Sequence, residues 1–196
     1  MASQDWVNLL NWGIPWQTAQ GTQLTASATT ATISPQAAGP QDFILPTQST
    51  GTQWYQGMTL KIEGAGTIGS GGTASNLTVF LAAGVSGTLA TTLSTSAAVA
   101  LGTGTLSGLE WWLNATVRCI GTGSSGNTLT TEGYLDVQTS TAGLAIGTAN
   151  VTKIPLPLTN LAFNTYTAAT AIGLRATLSA AFGNIQCNSF QIYQTD

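Results

Sequence analysis

Few residues in this chain are of types that do chemistry. Glu132 and Asp136 stand four apart in a segment that alternates apolar and polar residues, so both point to one face of a strand, with Tyr134 between them. Two carboxylates flanking a glycosidic bond are the machinery of glycosidases. The only two cysteines, Cys119 and Cys187, lie in strand-like segments. A thiol becomes a nucleophile beside a base or a cation, and the chain contains no histidine to serve. Two structural readings stay open for them, reduced core thiols or a disulfide between neighbouring strands. Gly64-Ala-Gly66-Thr-Ile-Gly69 follows a strand and matches Gly-x-Gly-x-x-Gly, a pattern that cradles a dinucleotide pyrophosphate. The residues after it, Ser70-Gly-Gly-Thr73, do not open a helix, and no acidic residue follows about 20 positions on to hold a ribose. A loop is expected there instead. Two cysteines and scattered acids match neither a zinc site nor a calcium loop, so neither metal nor cofactor is expected.

Composition narrows the function classes further. Of 196 residues, four are Lys or Arg and seven are Asp or Glu, so charged residues make up 6% of the chain, against about a quarter in an ordinary soluble domain. Such a chain has few general acids, bases or ligands, and a structural or binding protein is expected rather than an enzyme. A net charge of −3 leaves no basic surface on which phosphates would release counterions, so neither nucleic acid nor a membrane surface is an expected partner. No apolar stretch approaches the roughly 20 residues that span a bilayer. The start, Met1-Ala-Ser-Gln-Asp5, carries no positive n-region of a signal peptide, which predicts folding where the chain is made. Asn76-Leu-Thr, Asn114-Ala-Thr and Asn150-Val-Thr fit the N-glycosylation pattern, which a Thr-rich chain produces by chance.

The elements that must carry these residues are strands. Val and Thr alternate and Gly is frequent, while the 3.6-residue spacing of an amphipathic helix is nearly absent, which predicts an all-β chain. Nine segments read as strands: residues 42–45, 57–63, 77–81, 87–93, 109–120, 128–137, 151–158, 172–178 and 185–193. In the second, Met58, Leu60 and Ile62 alternate with Thr59, Lys61 and Glu63; in the fifth, Trp111, Leu113, Ala115, Val117 and Cys119 face one way, and this longest strand is expected to be central. Strands at this spacing, with no fixed internal repeat, predict a two-sheet antiparallel sandwich of jelly-roll type over residues 41–196. Residues 1–40 read as an extended N-terminal arm. Trp6, Leu9, Trp12 and Trp16 are its candidate partner-binding anchors, since large apolar side chains on a terminal segment must be covered either by a partner or by the chain's own core. Trp111-Trp112 puts one ring on each face of its sheet, so one is core; Trp112, with Trp54 and Tyr55, is a candidate oligomer contact. Aromatic platforms also bind sugar rings, which keeps a carbohydrate-binding module among the readings.

The order of motifs carries a resemblance. Gln53-Trp-Tyr-Gln-Gly-Met-Thr-Leu-Lys-Ile-Glu-Gly-Ala-Gly66, a Gly/Ser loop, Asn76-Leu-Thr-Val-Phe-Leu81, Trp112-Leu-Asn-Ala-Thr-Val-Arg118, Thr128-Leu-Thr-Thr-Glu-Gly133, Ile172-Gly-Leu-Arg-Ala-Thr-Leu-Ser179 and Ile185-Gln-Cys-Asn-Ser-Phe-Gln-Ile192 together resemble the small β-sandwich virion proteins of tailed bacteriophages. The resemblance covers residues 42–196. It implies a jelly-roll subunit, often tumour-necrosis-factor-like, that forms homotrimers and either decorates the capsid by binding the major capsid protein or builds tail and fibre parts. It implies location in a virion assembled in the host cytoplasm. Low surface charge agrees with such a role, because a charge-poor sandwich must hide much of its surface.

Overall fold

The computed structural model describes residues 21, 23–25, 30–34, 44–45, 55–71, 75–85, 88–101, 105–121, 127–139, 150–163, 170–180 and 183–195. Among these the chain is all-β, with no helix and twelve strands: β1 (Leu24–Thr25), β2 (Ala31–Thr32), β3 (Ile44–Leu45), β4 (Thr59–Ser70), β5 (Ser75–Val85), β6 (Thr88–Thr95), β7 (Val99–Leu101), β8 (Leu106–Gly121), β9 (Asn127–Thr139), β10 (Asn150–Phe163), β11 (Thr170–Leu178) and β12 (Gly183–Gln194). Among the described residues no helix is long and apolar enough to cross a membrane.

Two antiparallel sheets pack as a sandwich. One runs β1-β12-β4-β8-β9-β10; the other runs β2-β11-β5-β6, with β3 also on β11 and β7 also on β5. The last two strands close on the first two long ones, since β12 pairs β4 and β11 pairs β5. The alternation expected for residues 57–63 and 109–120 holds. Met58, just before β4, and Leu60 and Ile62 on it are buried, as are Trp111, Leu113, Ala115, Val117 and Cys119 from β8. They meet Leu77, Val79 and Leu81 of β5, Leu174, Ala176 and Leu178 of β11, and Ile185 and Phe190 of β12 in one apolar core. At 16 residues β8 is the longest of these strands, and it lies inside its sheet between β4 and β9. The edge strand β10 carries Pro155 and Pro157 and a register shift between Leu156 and Thr159, features that keep an edge from pairing with another chain.

One expectation is corrected. Residues 64–69 are not a loop: β4 continues through them, paired with β8 on one side and β12 on the other. Their glycines answer to packing. The fully buried Trp111 ring lies across Gly64 and Gly66, and its Nε1 passes over β4 to donate to the Gln186 carbonyl of β12 at 3.1 Å. A Cβ on Gly66 would collide with that carbonyl oxygen and come within 2.8 Å of the indole nitrogen, so only glycine fits beneath the ring. Part of the stretch read as an arm also meets the sandwich. Leu24 pairs Ile185, Ile33 and Ser34 both donate to the Leu174 carbonyl, and Leu24 and Ile33 are core residues. Residues 24–25 and 31–32 therefore contribute to the edges of the two sheets. The small polar residues of that stretch hid two apolar side chains that complete the core.

Candidate functional site

The outward positions of β4, β8, β9 and β10 gather nearly all of the described charge. Lys61 and Glu63 stand on β4, Glu110 and Arg118 on β8, Glu132 and Asp136 on β9 and Lys153 on β10, all at positions that alternate with the core residues of their strands. Of the described charged residues, only Arg175 belongs to the second sheet, on β11, where its Nη1 donates to the Leu89 carbonyl at 3.0 Å. One sheet face thus carries seven charged residues, and the face of the other sheet carries one.

Register assembles that face into rows. Trp112 on β8 faces Asp136 on β9, which faces Lys153 on β10. In the next row Glu63 faces Asn114, which faces Tyr134, which faces Pro155. Trp112 is 38% exposed, the counterpart of the fully buried Trp111, as expected of successive residues on a strand. The Lys153 ammonium sits 3.8 Å from the Tyr134 ring centroid, a cation-π contact, and 3.9 Å from Asp136 Oδ2. At that distance the pair is an ion pair without a hydrogen bond. Asp136 Oδ1 is covered from solvent and receives no hydrogen bond. Toward the β12 side of the same face Lys61 and Glu63 form a 2.7 Å ion pair, with Lys61 also 5.5 Å from the Tyr193 ring centroid. The Glu63 hydrogen bond, then that of Tyr193, raises the Lys61 pKa above the ordinary lysine range, and Lys61 in turn lowers that of Glu63. Both side chains are about a third exposed, so the pair contributes little stability.

The residues singled out by sequence fall as follows. Glu132 and Asp136 do share a face. Four strand residues put their Cα atoms about 13 Å apart, and Tyr134 stands between them, whereas glycosidase carboxyl groups lie within about 5–9.5 Å. Trp112 and Tyr55 are both exposed, and the Tyr55 hydroxyl accepts from Gln194 Nε2 at 2.6 Å. Tyr55 opens a turn in which the Met58 amide returns to its carbonyl and Gly57 takes φ +99, a conformation suited to glycine. Trp6, Leu9, Trp12, Trp16 and Trp54 lie outside the described residues. Lys153 was not singled out. Its signal was its outward place beside Ile154 and Leu156, but only the β9–β10 register shows that it meets Asp136 and Tyr134.

The cysteines are free and buried. The Cys119 amide donates to the Met58 carbonyl, while Cys187 faces Gly66, eight residues further along β4. At ~3.3 Å per residue that is roughly 26 Å, far beyond the about 7 Å between Cα atoms that a disulfide tolerates. The disulfide reading is thereby removed. Each cysteine precedes a register shift, and its thiol donates to the carbonyl two residues on, Gly121 at 3.4 Å and Ser189 at 3.2 Å. Burial raises the Cys119 pKa and pushes that of Cys187 up to about 12, so neither is poised as a thiolate. Among the described residues no three His, Cys, Asp or Glu side chains gather as a metal site would require.

No family model matches the chain, and no curated protein matches it. Among solved structures, it is similar to the CBM2 module of the evolved Dit of Lactobacillus casei BL23 phage J-1, at 12% identity over 93% of this chain and 81% of that one. The TM-score is 0.27, and at that level the likeness carries no inference about what this chain does.

Proposed function

We propose that the protein is a non-catalytic structural subunit of a tailed-bacteriophage virion, assembled as a homotrimer, that binds the outside of the capsid shell and stabilises it. The observation that carries this reading is the segregation of charge. Seven of the charged side chains named above crowd one sheet face, while the outer face of the sheet built on β11 and β5 offers residues such as Thr78, Phe80 and Thr177 with Arg175 as its one described charge. Interface cores are depleted in charge, so the charge-poor face suits burial between subunits and the charged face suits water. The order of motifs that resembles small phage virion sandwiches supports the same reading. Anchors on residues 1–20 would hold the trimer to its shell, and stabilisation follows by mass action, because a ligand of the assembled shell alone shifts the equilibrium toward it. A place in the tail or a fibre would use the same surfaces and differ in position and copy number.

Two measurements test the proposal. Native mass at dilute concentration should give three copies, and a stable monomer would refute the oligomer. Labelling of purified particles should find the protein on the head at regular shell sites. Label on the tail would move it to the second location, and absence from particles would overturn the virion reading.

A further inference from the structure

We propose that Trp112 and the polar side chains around it form a binding site for an uncharged hexopyranose unit of a glycan. The inference goes beyond the assembly role and uses the face that the role leaves toward water. A pyranose presents a C–H face that packs on an aromatic ring, and a rim of hydroxyls that need donors and acceptors at the ring's edge. Trp112 supplies the ring: among the described residues it is the one exposed tryptophan. The rim groups stand around it by register. Asp136 lies directly opposite, Asn114 is two residues along β8 on the same face, and Lys153 lies beyond Asp136. In the row on the other side, Gln138 accepts from the Glu110 amide through Oε1 at 3.0 Å, which leaves its side-chain NH2 as a possible donor toward the rim.

The Asp136 carboxylate is the second observation. It has acceptor capacity in hand, since Oδ1 has no donor and Oδ2 is 3.9 Å from the Lys153 ammonium, which instead sits over Tyr134. Leaving a carboxylate oxygen under cover without a donor is costly, and a sugar hydroxyl that reaches this carboxylate as its cover shifts supplies one. The adjoining cation and anion favour an uncharged ligand over an anionic one. The same charges argue against a protein interface core, which is depleted in them.

The test is affinity electrophoresis of the intact protein through native gels containing, one at a time, dextran, hydroxyethylcellulose, galactomannan and a neutral rhamnose-rich cell-wall polysaccharide. At least one should retard the protein. Trp112→Ala should weaken that retardation roughly tenfold or more, as loss of a central aromatic anchor does, and Trp112→Phe should restore part of it. Asp136→Asn should weaken it several-fold. Thermal midpoints of all three variants should stay near the parent's, which separates lost binding from lost folding. Failure of every polysaccharide to retard the parent, or equal retardation of Trp112→Ala, would overturn the inference. Incorporation of Trp112→Ala into particles separates it from the virion reading. If incorporation fails and no polysaccharide binds, Trp112 is an assembly contact and the glycan site is refuted while the virion role stands.

Discussion

Replacing Gly66 by alanine should destabilise the protein far more than the same change at Gly69, although both belong to one Gly-x-Gly-x-x-Gly match. A Cβ at Gly66 meets backbone, the Gln186 carbonyl, as well as Trp111 Nε1 at 2.8 Å. Backbone in the centre of a sheet cannot rotate away, so β12 must separate from β4 or the indole must leave its acceptor. Overpacking of this kind costs ~1–3 kcal/mol. A fully buried indole N–H that loses its carbonyl costs a further ~1–3 kcal/mol. Reduced freedom of the unfolded chain returns only ~0.4–1 kcal/mol. The net loss is about 1–5 kcal/mol. At Gly64 a Cβ meets Leu174 Cδ1 at 3.1 Å and the Trp111 ring at 3.4 Å, contacts that side chains can partly yield. At Gly69 it meets the Asn184 amide group at 2.6 Å, the movable end of a side chain, and the cost should stay within about 1 kcal/mol. Urea unfolding followed by far-ultraviolet circular dichroism, at one protein concentration, gives the three differences. The expected order of loss is Gly66→Ala, then Gly64→Ala, then Gly69→Ala. If Gly66→Ala costs less than about 1 kcal/mol, or if Gly69→Ala costs as much, the account of these glycines as space for Trp111 is wrong.

Ile33→Ala should cost ~2–4 kcal/mol by the same urea assay, because a fully buried side chain leaves a cavity, while removal of residues 1–20 should leave the sandwich folded and abolish attachment to the partner; unfolding of the truncated chain would assign residues 1–20 to the core. Non-reducing gels should show no intramolecular disulfide, and native Cys119 and Cys187 should alkylate slowly at pH 8 but fast in denaturant. With the Cys187 pKa raised from 9.0 to about 12 by burial, the unfolded chain loses its proton first, so stability contributed by this thiol is full below pH 9 and falls as the pH rises toward 12, a trend that alkaline melting curves check. Glu132→Gln with Asp136→Asn should change stability by less than about 1 kcal/mol, since Lys153 is 62% exposed and its ion pair is long; glycan cleavage by the parent that vanishes in this variant would replace the binding reading with a catalytic one.

Local pattern was enough for much of the fold. Alternation at Met58, Leu60 and Ile62, and from Trp111 to Cys119, is a statement about successive side chains on a strand, and it identified the core faces of β4 and β8 and separated Trp111 from Trp112 without any partner strand. The scarcity of helical spacing likewise made the chain all-β. What local pattern could not contain is which strand lies next to which. Residues 64–69 read as a loop because glycine usually marks one; their reason is a ring from β8 reaching across to β12, a fact of non-local packing. Leu24 and Ile33 lay in a small, polar stretch with no periodicity of its own, and their burial depends on the exposed edges of β12 and β11. The gathering of Trp112, Asp136 and Lys153 depends on the β8–β9–β10 register, and a slip of one residue would send each side chain to the other face. The distance between Cys119 and Cys187 depends in the same way on where β8 and β12 pair along β4. Periodicity records whether a side chain points in or out, whereas a binding face is made by neighbours far apart in sequence, which only pairing and packing decide.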